Sequence, residues 1–456
     1  MKKLILYILT ICVLLSMTAC SKKNTAGPEG YDEEALKADA QKVSDELLAG
    51  DYEAVTARFD EKMTAAVSLD ALKTGWESVA SQLGEHIERV SVEGMDSSGY
   101  YAVEVTERFL EGGLTIRAVY SADSRISGLR IVPATLSESA APTESDVYTE
   151  EAVTVAGDPE MPLDGILTLP KDTENPPVVI LVHGSGASDK DETIYANKPF
   201  ADLAHGLAER GIATLRYDKR HYSYPENAAV LGADLTLRDE TLDDVDAAIE
   251  LMRGDGRVDS EKIFVLGHSL GGMLSPAIAA EHPELAGVIS MAGTLRTLWE
   301  VVYDQNQEAI AAMDVSTLSA EDKATLDAQI AQIEADIITL RGDFSGLSND
   351  TVLMGIPVGY WKSLGQYCGM NFIEQVSMPM LILQGDADFQ IYPDKDYVLW
   401  QKTLADRSNV TFHLYEGLNH LMMPTAGARD ISEYQTASTV AAQVIDDIAA
   451  FVGSIK

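Results

Sequence analysis

Apolar residues fall along this chain in distinct patterns, each predicting a different kind of element. Between residues 32 and 84 they recur at helical spacing, in two or three segments with breaks expected near Gly50 and Gly75. Four short runs then alternate apolar with polar: Ile87-Glu88-Arg89-Val90-Ser91-Val92, Tyr101-Ala102-Val103-Glu104-Val105, Leu114-Thr115-Ile116-Arg117-Ala118-Val119 and Ile126-Ser127-Gly128-Leu129-Arg130-Ile131. Turn sequences such as Asp96-Ser97-Ser98-Gly99 and Glu111-Gly112-Gly113 separate them. Period-two runs between close turns predict an antiparallel sheet, and helices placed before it make residues 31–133 a small α+β domain. Residues 134–147, rich in Ser, Thr, Ala and Glu, read as a linker.

From residue 148 the pattern changes. Val153-Thr154-Val155 and Gly165-Ile166-Leu167-Thr168-Leu169-Pro170 predict an opening hairpin. After it come runs that are apolar without alternation: Val178-Val179-Ile180-Leu181-Val182, Ile263-Phe264-Val265-Leu266, Gly287-Val288-Ile289-Ser290-Met291 and Met380-Leu381-Ile382-Leu383. Strands are also predicted at 213–217 and 410–415, and helices at 200–209 and 239–253. Buried strands alternating with helices give an α/β class domain over 148–456, doubly wound around a mostly parallel sheet. The stretch between the last two apolar runs is too long for a simple connection. It predicts helices over 297–313 and 320–341, the second from Leu326, Ile330, Ile333 and Ile337. An insertion at about 295–375 is expected to form a helical lid over the active-site edge. Met354, Tyr360 and Trp361 within it are candidates for an acyl pocket or for plain core.

The first 20 residues follow another logic. Lys2 and Lys3 precede an apolar run from Leu4 to Leu15, too short for a membrane span, which needs about 20 residues. Met17-Thr18-Ala19-Cys20 resembles the bacterial lipobox, with Met17 where Leu is usual. That resemblance implies a lipoprotein signal peptide over 1–20, lipid on Cys20, and a tether over 21–30 containing Gly27-Pro28. The protein is then expected to be exported and held by lipid on the outer face of the bacterial cell membrane. An ordinary signal peptide with an incidental cysteine is the alternative.

Composition narrows the partners. The 456 residues are 46% hydrophobic, enough for two cores, and carry a formal net charge of −38. Such a surface repels nucleic acid and anionic headgroups over a Debye length of roughly 10 Å, so no nucleic-acid partner is expected. Any membrane contact falls to the lipid. Of the three cysteines, Cys12 leaves with the leader and Cys20 takes lipid, so Cys368 has no partner for an intramolecular disulfide. No metal-binding or nucleotide-binding motif is present, and neither metal nor cofactor is implied.

The candidate chemistry centres on Gly267-His268-Ser269-Leu270-Gly271. A strand that reverses at once into a helix holds its turn residue under strain and needs glycine on either side, which is the nucleophile-elbow pattern. Ser269 is the candidate nucleophile. Asp388, in Gly385-Asp386-Ala387-Asp388, and His420, in Leu418-Asn419-His420, each sit just past a later strand, as acid and base; Asp386 competes with Asp388. In a parallel sheet these strand ends share one edge, and the order Ser, Asp, His is that of the α/β-hydrolases. Leu270 and Ser185, the latter in His183-Gly184-Ser185-Gly186, are the candidate backbone donors to an oxyanion. His183 and His268 read as scaffold, and His86, His205, His221, His282 and His413 follow no suitable strand end. Asp189-Lys190-Asp191-Glu192 and Tyr217-Asp218-Lys219-Arg220 read as solvated loops or structural ion pairs.

Several of these segments together look like one family. His183-Gly184-Ser185-Gly186 with Asp191-Glu192-Thr193, Arg216-Tyr217-Asp218-Lys219-Arg220, Gly267-His268-Ser269-Leu270-Gly271-Gly272-Met273 and Leu418-Asn419-His420 resemble the EstD-type serine carboxylesterases. These lie in the dienelactone-hydrolase and acyl-peptidase branch of the α/β-hydrolases. The likeness covers about residues 150–453 and implies a triad of Ser269, Asp388 and His420 acting on small-molecule esters. Dienelactone hydrolases proper use cysteine, so Ser269 favours ester cleavage. Residues 31–133 resemble a domain of unknown function found ahead of bacterial hydrolases, similar to the cone-shaped nuclear transport factor 2-like fold. The same triad also serves peptidases and acyltransferases. From another class, a surface lipoprotein that binds ligand through its first domain fits the leader equally well.

Overall fold

The computed structural model describes residues 32–455 except 81–82, 84–85, 98–99, 110–111, 122, 135–142, 144, 225–230, 312, 314 and 316–319. The leader, Cys20 and the tether lie outside the described residues, as does most of the segment read as a linker. Contacts divide the chain into two compact units, one of residues up to Glu138 with Ile194–Ala196 and one built on Ser139–Thr193 and Asn197–Lys456.

In the first unit, the Asp32 carboxylate accepts the Ala35 N–H at 3.1 Å and so starts the helix Glu33–Ala49; Gly50 ends it at φ 76°. Leu36, Ala40, Val43 and Leu47 recur on one face of this helix and are buried. They share a core with Val103, Val105, Leu114, Ile116 and Ala118. The strands are β1 (His86–Ser97), β2 (Tyr100–Phe109), β3 (Gly112–Tyr120) and β4 (Ile126–Ala134), antiparallel and adjacent in that order. The break expected at Gly75 does not occur. Helix Leu69–Ala80 runs through it, because Leu72 and Trp76 both bury on the core side, while an exposed glycine costs a helix only about 1 kcal/mol.

The second unit begins with β5 (Tyr148–Val155), β6 (Leu163–Pro170), β7 (Val178–Val182), β8 (Ala213–Tyr217), β9 (Ile263–His268) and β10 (Gly287–Met291). An insertion follows, with helices Leu298–Ala311, Ala320–Arg341 and Val358–Gln366 and a small hairpin of β11 (Val352–Leu353) and β12 (Ile356–Pro357). β13 (Met380–Gly385) and β14 (Val410–Tyr415) complete one eight-stranded sheet in the order β14-β13-β10-β9-β7-β8-β6-β5. The six strands from β14 to β8 are parallel; β6 runs antiparallel to both β8 and β5. Every residue of β7, β9, β10 and β13 is buried, which is why those runs show no polar alternation.

The insertion spends its apolar residues inward. Leu326, Ile337 and Leu340 are buried, and Trp361 donates its indole N–H to the Leu353 carbonyl at 2.9 Å. Met354, Tyr360 and Trp361 all belong to the main core. Gln305, on the first of these helices, donates to the Gln390 carbonyl at 2.8 Å, in the loop after β13.

Candidate active site

Ser269 stands between β9 and helix Leu270–Glu281 with φ 52° and ψ −111°, a conformation that L residues other than glycine rarely adopt. The turn is so tight that its flanking glycines have no room for a side chain. A methyl at Gly267 would meet the Gly271 carbonyl at 2.1 Å, and one at Gly271 would meet the Val182 carbonyl at 2.4 Å. The Ser269 N–H donates to the Met291 carbonyl of β10 at 2.9 Å, fixing the elbow against the sheet. Ser269 itself is part-exposed within otherwise buried surroundings.

Gly184 faces this serine. A methyl there would stand 3.2 Å from Ser269 Cβ and 3.7 Å from its Oγ. The Gly184 N–H donates to Glu192 Oε1 at 2.7 Å and is therefore committed. The Gly271 N–H donates to the His183 carbonyl at 3.1 Å, tying the elbow to the turn after β7. Among the described residues, nothing engages the backbone N–H groups of Ser185 or Leu270. Leu270 opens its helix, where no intrahelical partner exists for that group.

At the same sheet edge, two strands beyond β9, β13 ends in Gly385. Asp388 is wholly buried and meets His420 Nδ1 through Oδ2 at 2.8 Å. It also accepts from Gln384 Nε2 at 2.8 Å and from the Gln390 and Ile391 N–H groups at 2.8 and 2.9 Å. The structure thus separates the two aspartates. Asp386 is exposed and accepts the Gly417 N–H at 2.7 Å, a bond that shapes the turn leaving β14. The Asn419 side chain accepts the Leu421 and Met423 N–H groups, folding the loop that carries His420.

Of the remaining histidines, His86, His205, His282 and His413 pair with Glu107, Glu150, Asp246 and Asp447. His183 and His268 lie beside the site. His183 is buried and contacts the Asp189 carbonyl through Nε2 at 2.9 Å; burial pushes its pKa down to about 4. His268 packs its ring 4.8 Å from that of His420 and touches the His420 carbonyl through Nε2 at 3.0 Å. Its Nδ1 lies 2.9 Å from Glu192 Oε2. Burial opposes charge on this imidazole, but Glu192, the His420 carbonyl and Asp388 together outweigh it and raise the pKa above the ordinary value.

Glu192 and Lys219, expected only as parts of solvated loops or structural ion pairs, lie beside the site. Both charged tetrapeptides turn out to be buried: Arg216 bridges Asp191 and Glu150, Lys190 meets Asp218, Lys219 meets Glu240 and Arg220 meets Asp244. Their signal was available, since each cluster sits close behind a wholly apolar or buried strand, where charge is costly unless paired.

The chain matches the alpha/beta hydrolase family over residues 179–429. Residues 40–129 match a family described as a protein of unknown function, DUF3887. Esterase EstD of Thermotoga maritima is 30% identical over 405 residues, which cover 88% of this chain and 92% of that protein. Among solved structures, the esterase domain of a Rhodothermus marinus protein aligns with a TM-score of 0.40 at 17% identity, covering 66% of this chain and 97% of that one. A puromycin-hydrolysing peptidase of Mycobacterium tuberculosis aligns with a TM-score of 0.42 at 16% identity, covering 78% of this chain and 46% of that one.

Proposed function

The chain belongs to the alpha/beta hydrolase family, and from that membership we propose that it is a serine esterase cleaving small, uncharged carboxylic esters through an acyl-enzyme intermediate. The observation that carries this reading is the backbone of Ser269, held at φ 52° where a buried strand turns into a helix. Strain of this kind costs on the order of 1–3 kcal/mol and persists where it presents a side chain for chemistry.

In this reading Ser269 Oγ attacks the acyl carbon as its proton passes to Nε2 of His420. The Nδ1–H of that imidazole stays with Asp388, which fixes the tautomer and stabilises the imidazolium. The carbonyl oxygen takes up negative charge and is met by the free N–H groups of Leu270 and Ser185. Collapse expels the alcohol, protonated by His420, and leaves the acyl group on Ser269. A water then gives a proton to His420 as it attacks the acyl carbon; the bond to Ser269 Oγ breaks, His420 returns the proton to that oxygen, and the acid leaves. An acidic protein repels anionic esters, which favours uncharged ones.

We propose in addition that Cys20 carries lipid and that the protein acts outside the cell, on its membrane. The support is the leader: two lysines, a short apolar run and Met17-Thr18-Ala19-Cys20.

A fluorophosphonate probe and a panel of esters, thioesters and aminoacyl amides test the activity. One adduct is expected, on Ser269, lost in Ser269→Ala, with esters turned over fastest. Faster cleavage of the amides would make the protein a peptidase. Absence of any adduct would favour a ligand-binding lipoprotein.

A further inference from the structure

In a parallel sheet, residues level with each other on adjacent strands stay level just past the strand ends. β7 and β8 pair with Val178 opposite Ala213 and Ile180 opposite Leu215. The same offset sets Lys219 opposite Gly184. The Lys219 ammonium indeed donates to the Gly184 carbonyl at 2.7 Å and to Glu240 Oε1 at 2.5 Å. Both charged side chains are only 3% exposed. The second Glu240 oxygen accepts the hydroxyl of Tyr360, a wholly buried residue of the insertion helix Val358–Gln366.

The Gly184 carbonyl and the Ser185 N–H are two ends of one peptide plane. In a planar trans peptide they point in opposite directions, so a cation that fixes the oxygen also fixes the N–H. It polarises the unit as well, which makes the N–H a stronger donor. Glu192 holds the Gly184 N–H, which belongs to the preceding peptide, so the units on both sides of the Gly184 Cα are held. A simpler way to satisfy one carbonyl would be water or a backbone group. A buried ammonium, with its own buried counterion, is a costly substitute unless its charge is used.

We infer that Lys219 is a positioning residue for the Ser185 oxyanion donor, and that Glu240 and Tyr360 couple this donor to the insertion. The inference rests on the proposed role of Ser185 in the esterase reading. Lys219 touches no reacting atom; it acts through the peptide. Its loss removes stabilisation that exists only when the acyl oxygen is charged, so kcat falls while KM stays level.

The test compares wild type with Lys219→Met and Tyr360→Phe on a short-chain nitrophenyl ester, with thermal unfolding followed in parallel. Lys219→Met is expected to lower kcat about 100-fold, and Tyr360→Phe about fivefold, each with KM within about twofold. A boronic acid that forms a tetrahedral adduct should lose affinity by the same factor as kcat/KM, while a non-reactive ether analogue of the ester binds as before. Should Lys219→Met fail to fold, Tyr360→Phe, which keeps the ring, carries the comparison. A folded variant with unchanged kcat, or one whose loss lies wholly in KM, would overturn the inference while leaving the esterase reading intact. Failure of wild type itself to bind the boronic acid would overturn that reading, and the inference with it.

Discussion

His420 Nδ1 lies 2.8 Å from Asp388 Oδ2, and the carboxylate it meets has no exposure to solvent. Three further donors, from Gln384, Gln390 and Ile391, fix that carboxylate in place. The carboxylate is thus held where it orients one imidazole. Asp388→Asn is expected to lower kcat on the order of 10⁴-fold, because an amide nitrogen facing Nδ1 favours the wrong tautomer. Asp386→Asn keeps an oxygen to accept the Gly417 N–H and should stay within about threefold of wild type. Equal losses in the two variants would refute the choice of Asp388.

Much of this arrangement was legible because it is local. The elbow announces itself in five consecutive residues, and the apolar runs announce a parallel sheet whose strand ends must share one edge. Gly75 misled because helix propensity is a weak term beside the burial of Leu72 and Trp76. The sequence leaves the charged clusters at 189–192 and 217–220 open between solvated loops and structural ion pairs, and the structure shows the pairs. Whether a lysine is solvated or buried depends on partners far along the chain, such as Glu240 for Lys219 and Glu150 for Arg216. A place close behind a buried strand says that such a charge must be paired, but no local pattern says with which residue.

His183 gives the protein a pH dependence that can be isolated. Its pKa is about 4 in the folded chain against an ordinary 6.5, because the buried ring resists charge, with Glu192 pulling the other way. Between those values the unfolded chain binds a proton that the folded chain refuses. The stability linked to this group is therefore complete above pH 6.5 and is lost as pH falls towards 4. From pH 7 to pH 5 its share of the loss is about 2 kcal/mol. His183→Gln keeps a donor for the Asp189 carbonyl and cannot titrate, so its unfolding free energy, measured in urea, should fall by about that much less over the same interval. Parallel pH slopes for the two proteins would refute this.

The leader makes a separate prediction about location. Cys20→Ala should leave the protein free of lipid and move it from the membrane fraction to the soluble one, with kcat/KM unchanged. Among the described residues no helix is long and apolar enough to cross a membrane, so within them no second anchor of that kind competes with the lipid. Wild type recovered in the culture medium without lipid would refute the anchor.

The insertion sets an expectation for acyl-chain preference. A long acyl chain needs a continuous apolar groove, each buried methylene adding about 0.8 kcal/mol. The apolar side chains available to line such a groove are already used: Leu326, Ile337, Leu340, Trp361 and Leu364 are buried in the core. Trp299 and Trp361 pack edge to face, and Met354 is enclosed with them. On the helix Ala320–Arg341, the exposed positions include Lys323, Asp327, Gln332 and Glu334 among small alanines, with Ile338 the one large apolar residue exposed among those described. Such a surface has little affinity for a lipid interface while the insertion stays closed. Across nitrophenyl esters from acetate to palmitate, kcat/KM is therefore expected to peak at short chains and to show no jump above the micellar concentration of the substrate. A maximum at long chains, or activation at an interface, would mean that the insertion moves far enough to expose its core face.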